Sequence, residues 1–152
     1  MKNIGKINNK KLSEISLIFS RDDKIIAGYL FGSLAKGDFH QKSDIDLAIM
    51  IDPSRIRDFS LDERLSLEVD LTLFLETENF DLVVINRAPL VLQFRIISGG
   101  KVIYKKDDDL YTSVEEIIME RYYDFLPALR KFNKEYFEAL EEKYLNGRQR
   151  KA

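Results

Sequence analysis

A chain of 152 residues with 45% apolar and 33% charged side chains is long enough to bury a core and too apolar to be a disordered polyelectrolyte. Its 24 basic and 26 acidic residues leave a formal charge of −2, which excludes the basic excess that bulk nucleic-acid binding needs. With no cysteine and one histidine, His40, the chain excludes disulfides, thiolate chemistry and multi-histidine metal sites.

Leu12, Ile15, Ile18 and Phe19 recur at helical spacing and predict an amphipathic helix over 9–20. Ile25 to Phe31 reads as a buried strand. Gly32 to Ser43 is a loop rich in Gly, Ser and Lys. Asp44 to Ile51 is a second strand, ended by Asp52-Pro53 because proline has no N–H for a ladder. Ser60-Leu61-Asp62-Glu63 spells a capping box, with Glu63 placed to reach back to the Ser60 N–H. Leu61, Leu65, Val69 and Leu73 follow at four-residue steps, predicting a helix over 60–76. Phe80 to Asn86 is a third strand. Pro89 opens a short helix that runs to about Ser98. Gly99-Gly100 is a turn, and Lys101 to Lys105 is a last strand. From Asp109 the chain is helical, with Ile117, Ile118, Tyr122, Phe125 and Leu126 on a broad apolar face. Pro127 is expected to kink or break this helix, and Asn146-Gly147 to stop the last one.

Strands alternating with helices predict an α/β (α+β) layer fold. Residues 1–106 form the expected core, 107–147 are helices packed on that core or on a partner within the same domain, and 148–152 are a frayed tail. The aromatic set Tyr122, Tyr123, Phe125, Phe132, Tyr136 and Phe137 can pack on the sheet or form a patch for a partner protein. No apolar run approaches the roughly 20 residues that span a bilayer. The start, Met1 to Lys11, lacks an apolar stretch of signal-peptide length, so the expected location is cytoplasmic.

The chemistry concentrates between the first two strands. Gly32 ends a strand and, lacking Cβ, lets the backbone turn sharply against a ligand. Ser33 adds a hydroxyl and an N–H suited to an anion. Asp44 and Asp46, two apart on a strand, share a face with Ala48 and Met50, while Ile45, Leu47, Ile49 and Ile51 take the other face. Two adjacent carboxylates repel unless a cation lies between them, and Mg²⁺ prefers such oxygen ligands together with substrate phosphates. Asp81 can join the pair if its strand lies alongside. Lys36 is a candidate phosphate contact and His40 an exposed loop residue. Gly-Ser, ten residues, then Asp-x-Asp arises by chance on the order of once in a thousand chains of this length.

Gly32-Ser33 with Asp44 and Asp46 resembles the signature of the polymerase-beta-like nucleotidyltransferase superfamily. The runs Gly32 to Gly37 and Ser43 to Leu47 are similar to its minimal nucleotidyltransferase, or MNT, group, and Asp81 to Pro89 resembles that group's third-carboxylate strand. The resemblance spans roughly residues 10 to 140. It implies a small mixed β-sheet flanked by helices, with Gly32, Ser33 and Ser43 on the nucleotide. It also implies Asp44, Asp46 and Asp81 as catalytic carboxylates and Mg²⁺ ligands. The implied activity is transfer of AMP from ATP to a tyrosine of a HEPN-type toxin, by the antitoxin of a toxin–antitoxin pair. Nucleotidyl transfer to a small molecule and neutralisation by binding alone are the alternatives. Lys36 departs from the arginine of many relatives and loses its bidentate fork.

Overall fold

A computed structural model describes residues 9–32 and 45–149, with side chains through Leu145. The elements are α1 (Asn9–Ser20), β1 (Ile25–Phe31), β2 (Ile45–Ile51), α2 (Leu61–Leu75), β3 (Phe80–Val84), α3 (Leu90–Gly99), β4 (Lys101–Lys105) and α4 (Asp108–Gln149). The four strands form one mixed sheet in the order β3-β2-β1-β4. β1 is antiparallel to β2 and to β4, and β2 is parallel to β3, with α2 in the crossover. This is the expected mixed sheet flanked by helices.

Period-two alternation along β2 sorts its side chains onto two buried faces. Ile45, Leu47, Ile49 and Ile51 join Leu12, Ile15 and Phe19 of α1 and Leu67, Leu71 and Leu75 of α2 in one apolar cluster. Ala48 and Met50 join Tyr29, Ile96 and Ile97 of α3 and Ile118 of α4 in a second. Gly28 lets α1 approach β1 closely, since a Cβ there would fall 2.7 Å from Phe19 Cε2.

Two local expectations change, at the cap of α2 and at the end of β3. Ser60 caps α2 by accepting from the Glu63 N–H at 3.1 Å. Glu63 does not close the box: its Oε1 accepts from Lys24 Nζ at 2.8 Å, a charged donor that outcompetes a peptide N–H. The four-residue stripe Leu61, Leu65, Val69, Leu73 marks the helix but not its buried side, because all four are exposed and Leu67, Leu71 and Leu75 face the core. The third strand stops at Val84, and Ile85–Arg87 tightens into a 3-10 turn. There the Asn86 amide takes over as strand partner, with Oδ1 accepting from Ile51 N at 2.9 Å and Nδ2 donating to Ile51 O at 2.8 Å.

The chain divides into two compact units, Met1–Ile118 and Met119–Ala152. Of the kink or break expected at Pro127, the break does not occur, and the stop expected at Asn146-Gly147 does not occur either: α4 runs on to Gln149. Proline removes one N–H from the ladder, and the turns on either side keep theirs, so one missing bond does not end so long a helix. In the second unit Phe132 and Tyr136 stack with ring centroids 6.2 Å apart, and Tyr136 meets Phe137 edge-on at 5.9 Å. All three are more than half exposed.

Candidate active site

The two central strands and the edge strand β3 bring Gly32, Asp46 and Asp81 to one end of the sheet. In the antiparallel pair Phe31 lies opposite Asp46, which places Gly32 one step beyond it. In the parallel pair Asp46 lies opposite Asp81. Adjacent strands run about 4.8 Å apart, so two carboxylates of like charge sit side by side in register. Asp46 is half-buried and Asp81 exposed.

Gly32 adopts φ +74°, the left-handed region that favours glycine. The space a Cβ would take belongs to Asp46: it would lie 3.0 Å from Asp46 Cγ and closer still to Oδ2. Gly32 thus serves the carboxylate as well as the turn, since any side chain here displaces Asp46. Ser33, Lys36, His40, Ser43 and Asp44 lie outside the described residues. Among the described residues no three His, Cys, Asp or Glu side chains are grouped to hold a metal ion, and the third carboxylate expected in that set is Asp44.

Sequence reasoning missed two residues that hold the site's framework. Arg64 Nη2 donates to Leu82 O at 2.8 Å, tying α2 to the edge strand one residue after Asp81. Asn86 fixes the far end of β2, as above. Neither stands out in the sequence, because an Arg in an amphipathic helix and an Asn after a strand have many ordinary uses.

Tyr29 supplies a second polar feature on the Asp46 face. Its ring is fully buried, and its hydroxyl donates to Glu115 Oε2 at 3.4 Å. Burial, then the Glu115 charge, pushes its hydroxyl far above the ordinary range. Tyr111, 6.2 Å from Tyr29 by ring centroids, is pushed up to about 12, by burial first and then by Glu115. These contacts fasten the first turns of α4 over β1.

Residues 13–109 match the family model described as "Polymerase beta, Nucleotidyltransferase". The chain is 30% identical over 128 residues to the protein adenylyltransferase MntA of Shewanella oneidensis, covering 82% of this chain and 83% of that relative. Among solved structures it is similar to a toxin–antitoxin with AMP-PNP, with a TM-score of 0.68 and 23% identity over 86% of this chain and 99% of the other. It is also similar to the complex of a tri-AMPylated Shewanella oneidensis HEPN toxin with an MNT antitoxin, with a TM-score of 0.65 and 19% identity, covering 86% and 99%.

Proposed function

Because the chain belongs to the polymerase beta nucleotidyltransferase family, we propose that it is a Mg²⁺-dependent protein adenylyltransferase. It moves AMP from ATP to a tyrosine of a HEPN-type toxin, and is the antitoxin of that pair in the cytoplasm. The observation that carries this reading is the register of Asp46 against Asp81, with Gly32 making room for the Asp46 carboxylate. The named activity of the MntA relative directs the choice of acceptor.

The residues fit a divalent cation. Two carboxylates held in register repel each other, and an oxygen-seeking cation relieves that repulsion. Asp46 and Asp81, with Asp44, are the ligands of this reading. Bound there, Mg²⁺ supplies charge neutralisation on the phosphates and a lowered pKa for the attacking hydroxyl.

Gly32, Ser33 and Ser43 hold the nucleotide, and the bare backbone at Gly32 allows phosphate oxygens to approach. The acceptor phenol oxygen bonds to the α-phosphorus, the bond from that phosphorus to the bridging oxygen breaks, and pyrophosphate leaves. The phenol proton passes to a carboxylate; Asp81, exposed at the sheet edge, is the one open to an incoming protein. Residues 1–106 carry the chemistry, and 107–147 meet the toxin. The exposed Phe132, Tyr136 and Phe137 support the second assignment, since aromatic residues are enriched at interface centres.

The test is transfer of label from α-labelled ATP to a purified HEPN-type toxin with Mg²⁺. The unaltered chain is expected to label the toxin. Asp46→Asn is expected to lose at least about 100-fold in rate while keeping its circular dichroism spectrum. Equal labelling by the variant would overturn the metal-site assignment. Pyrophosphate release with no labelled protein would move the acceptor to a small molecule. Neutralisation of the toxin by the variant without label would make the chain an antitoxin by contact.

A further inference from the structure

β3 is the weakly held strand of the site. It is five residues long, stands at the end of the order β3-β2-β1-β4, and has a ladder on one side only, to β2. It also carries Asp81 in register with Asp46, and two like charges so placed push their strands apart. β2 is paired on both sides and its odd residues are buried. The strand that gives is therefore β3.

A cation holds the outer side of β3. Peptide groups along a strand turn alternately to its two sides. Asn79 O turns inward, accepting from Ile45 N at 3.2 Å, so Leu82 O, three steps on, turns to the open edge. There Arg64 Nη2 donates to it at 2.8 Å. The bonded carbonyl is one residue past Asp81.

Arg64 is itself held. Its Nε donates to Glu68 Oε1 at 3.3 Å, one turn further along α2, and that helix is seated on the sheet by Leu67, Leu71 and Leu75. Arg64 and Glu68 are each about a third exposed, where an ion pair adds little stability; its use here is to aim the guanidinium. One nitrogen is oriented by Glu68 while another reaches the strand, which a lysine with a single nitrogen does not reproduce. The preceding residue, Glu63, binds Lys24 ahead of β1. The first turns of α2 thus grip β3 and the start of β1 together.

We infer that Arg64 is a positioning residue for the metal site: its bond to Leu82 O fixes the edge strand and holds the Asp81 carboxylate in register with Asp46 against their mutual repulsion. The inference rests on the proposed Mg²⁺ site and deepens it. Arg64 touches neither cation nor substrate in this reading and acts through the backbone of β3. Carboxylate ligands depend on such supporting partners for their affinity.

The test reads binding of Mn²⁺, which takes the same oxygen ligands as Mg²⁺, to the full chain, from the loss of the free-ion electron paramagnetic resonance signal. Asp81→Asn is expected to weaken Mn²⁺ binding by at least about tenfold, and Arg64→Ala by about tenfold, the low end for a residue behind a ligand. Arg64→Lys keeps a donor for Leu82 O and is expected to recover part of that loss. Hydrogen exchange supplies a reading that needs no metal. In Arg64→Ala the amides of residues 80–84 are expected to exchange faster than in the unaltered chain, and those of β1 at the same rate. A role in stability alone would lower the urea midpoint and leave the Mn²⁺ affinity of the folded chain unchanged. If Arg64→Ala does not fold, Glu68→Ala, which keeps the guanidinium and removes its aim, is expected to show a smaller loss in the same direction. Unchanged Mn²⁺ affinity in Arg64→Ala, with the loss present in Asp81→Asn, overturns the positioning role and leaves the metal site standing. Unchanged affinity in Asp81→Asn overturns the metal site itself, and the inference with it.

Discussion

The two faces of the sheet are built from the same strands and do different work. On the α1–α2 face the buried side chains are hydrocarbon throughout, from Leu12 and Ile15 to Leu71 and Leu75. On the α3–α4 face the strands also place Tyr29, with a hydroxyl that must find a partner, and at one end Asp46. Alternation along a single strand, β2, makes the separation: the odd residues pack in the apolar cluster, and Asp46, on the other side, is the proposed reacting carboxylate. Support and chemistry are therefore separable by mutation, though they are neighbours in the chain.

The largest effect that tests this separation is on the supporting face. Leu71→Ala removes a fully buried side chain and is expected to cost about 2–5 kcal/mol in urea unfolding, with transfer rate per folded molecule unchanged. Leu73→Ala, two residues on and 73% exposed, is expected to stay within about 0.5 kcal/mol of the unaltered chain. Comparable costs for the two would mean that the outward stripe is packed in solution.

Gly32→Ala is the converse. A left-handed φ costs a residue with Cβ about 1–2 kcal/mol, less than the Leu71 cavity. The new methyl also displaces the Asp46 carboxylate, and a misplacement of about 1 Å costs on the order of 100-fold in rate. The expected outcome is a folded chain with little transfer activity. An active Gly32→Ala chain would show that Asp46 tolerates displacement and is not the reacting carboxylate.

Much of this arrangement is legible in the sequence because its causes are local. Strand periodicity assigns Asp46 a face, and Leu12, Ile15, Ile18 and Phe19 name the buried side of α1 correctly. The same reasoning finds α2 and leaves its covered side open, because leucines stand on both sides and spacing alone carries no preference. The in-register meeting of Asp46 with Asp81 depends on β3 pairing parallel to β2, a long-range outcome of the α2 crossover that no local pattern specifies. Pro127 fails to break α4 for a related reason: it is read by its intrinsic tendency, and the turns on either side keep enough hydrogen bonds to carry the helix through it.

A smaller effect is read by pH at Tyr29 and Tyr111. A tyrosine whose folded pKa is raised stays neutral in the native state while the unfolded chain ionises. Its stabilisation is fully present below pH 10, the ordinary value, and is lost as pH rises through the folded value, about 12 for Tyr111 and higher for Tyr29. Stability is therefore expected to fall above pH 10. Tyr29→Phe is expected to shrink that fall, as measured by urea midpoints at pH 8 and pH 11. An unchanged alkaline slope in the variant would mean that Tyr29 ionises equally in both states and is not held by Glu115.

The smallest effect concerns the half-made capping box of α2. Ser60→Ala is expected to cost about 1 kcal/mol, since it strips the Glu63 N–H of its acceptor. In a reciprocal box, removing the Glu63 carboxylate would change the effect of Ser60→Ala. Here that carboxylate faces Lys24, so a double-mutant cycle of Ser60→Ala with Glu63→Ala is expected to show coupling near zero. A cycle of Lys24→Ala with Glu63→Ala is expected to show about 0.2–1 kcal/mol, the range of a partly exposed ion pair. Coupling in the first cycle and none in the second would return Glu63 to the cap. Lys24, just before β1 begins, would then no longer tie the start of that strand to the first turn of α2.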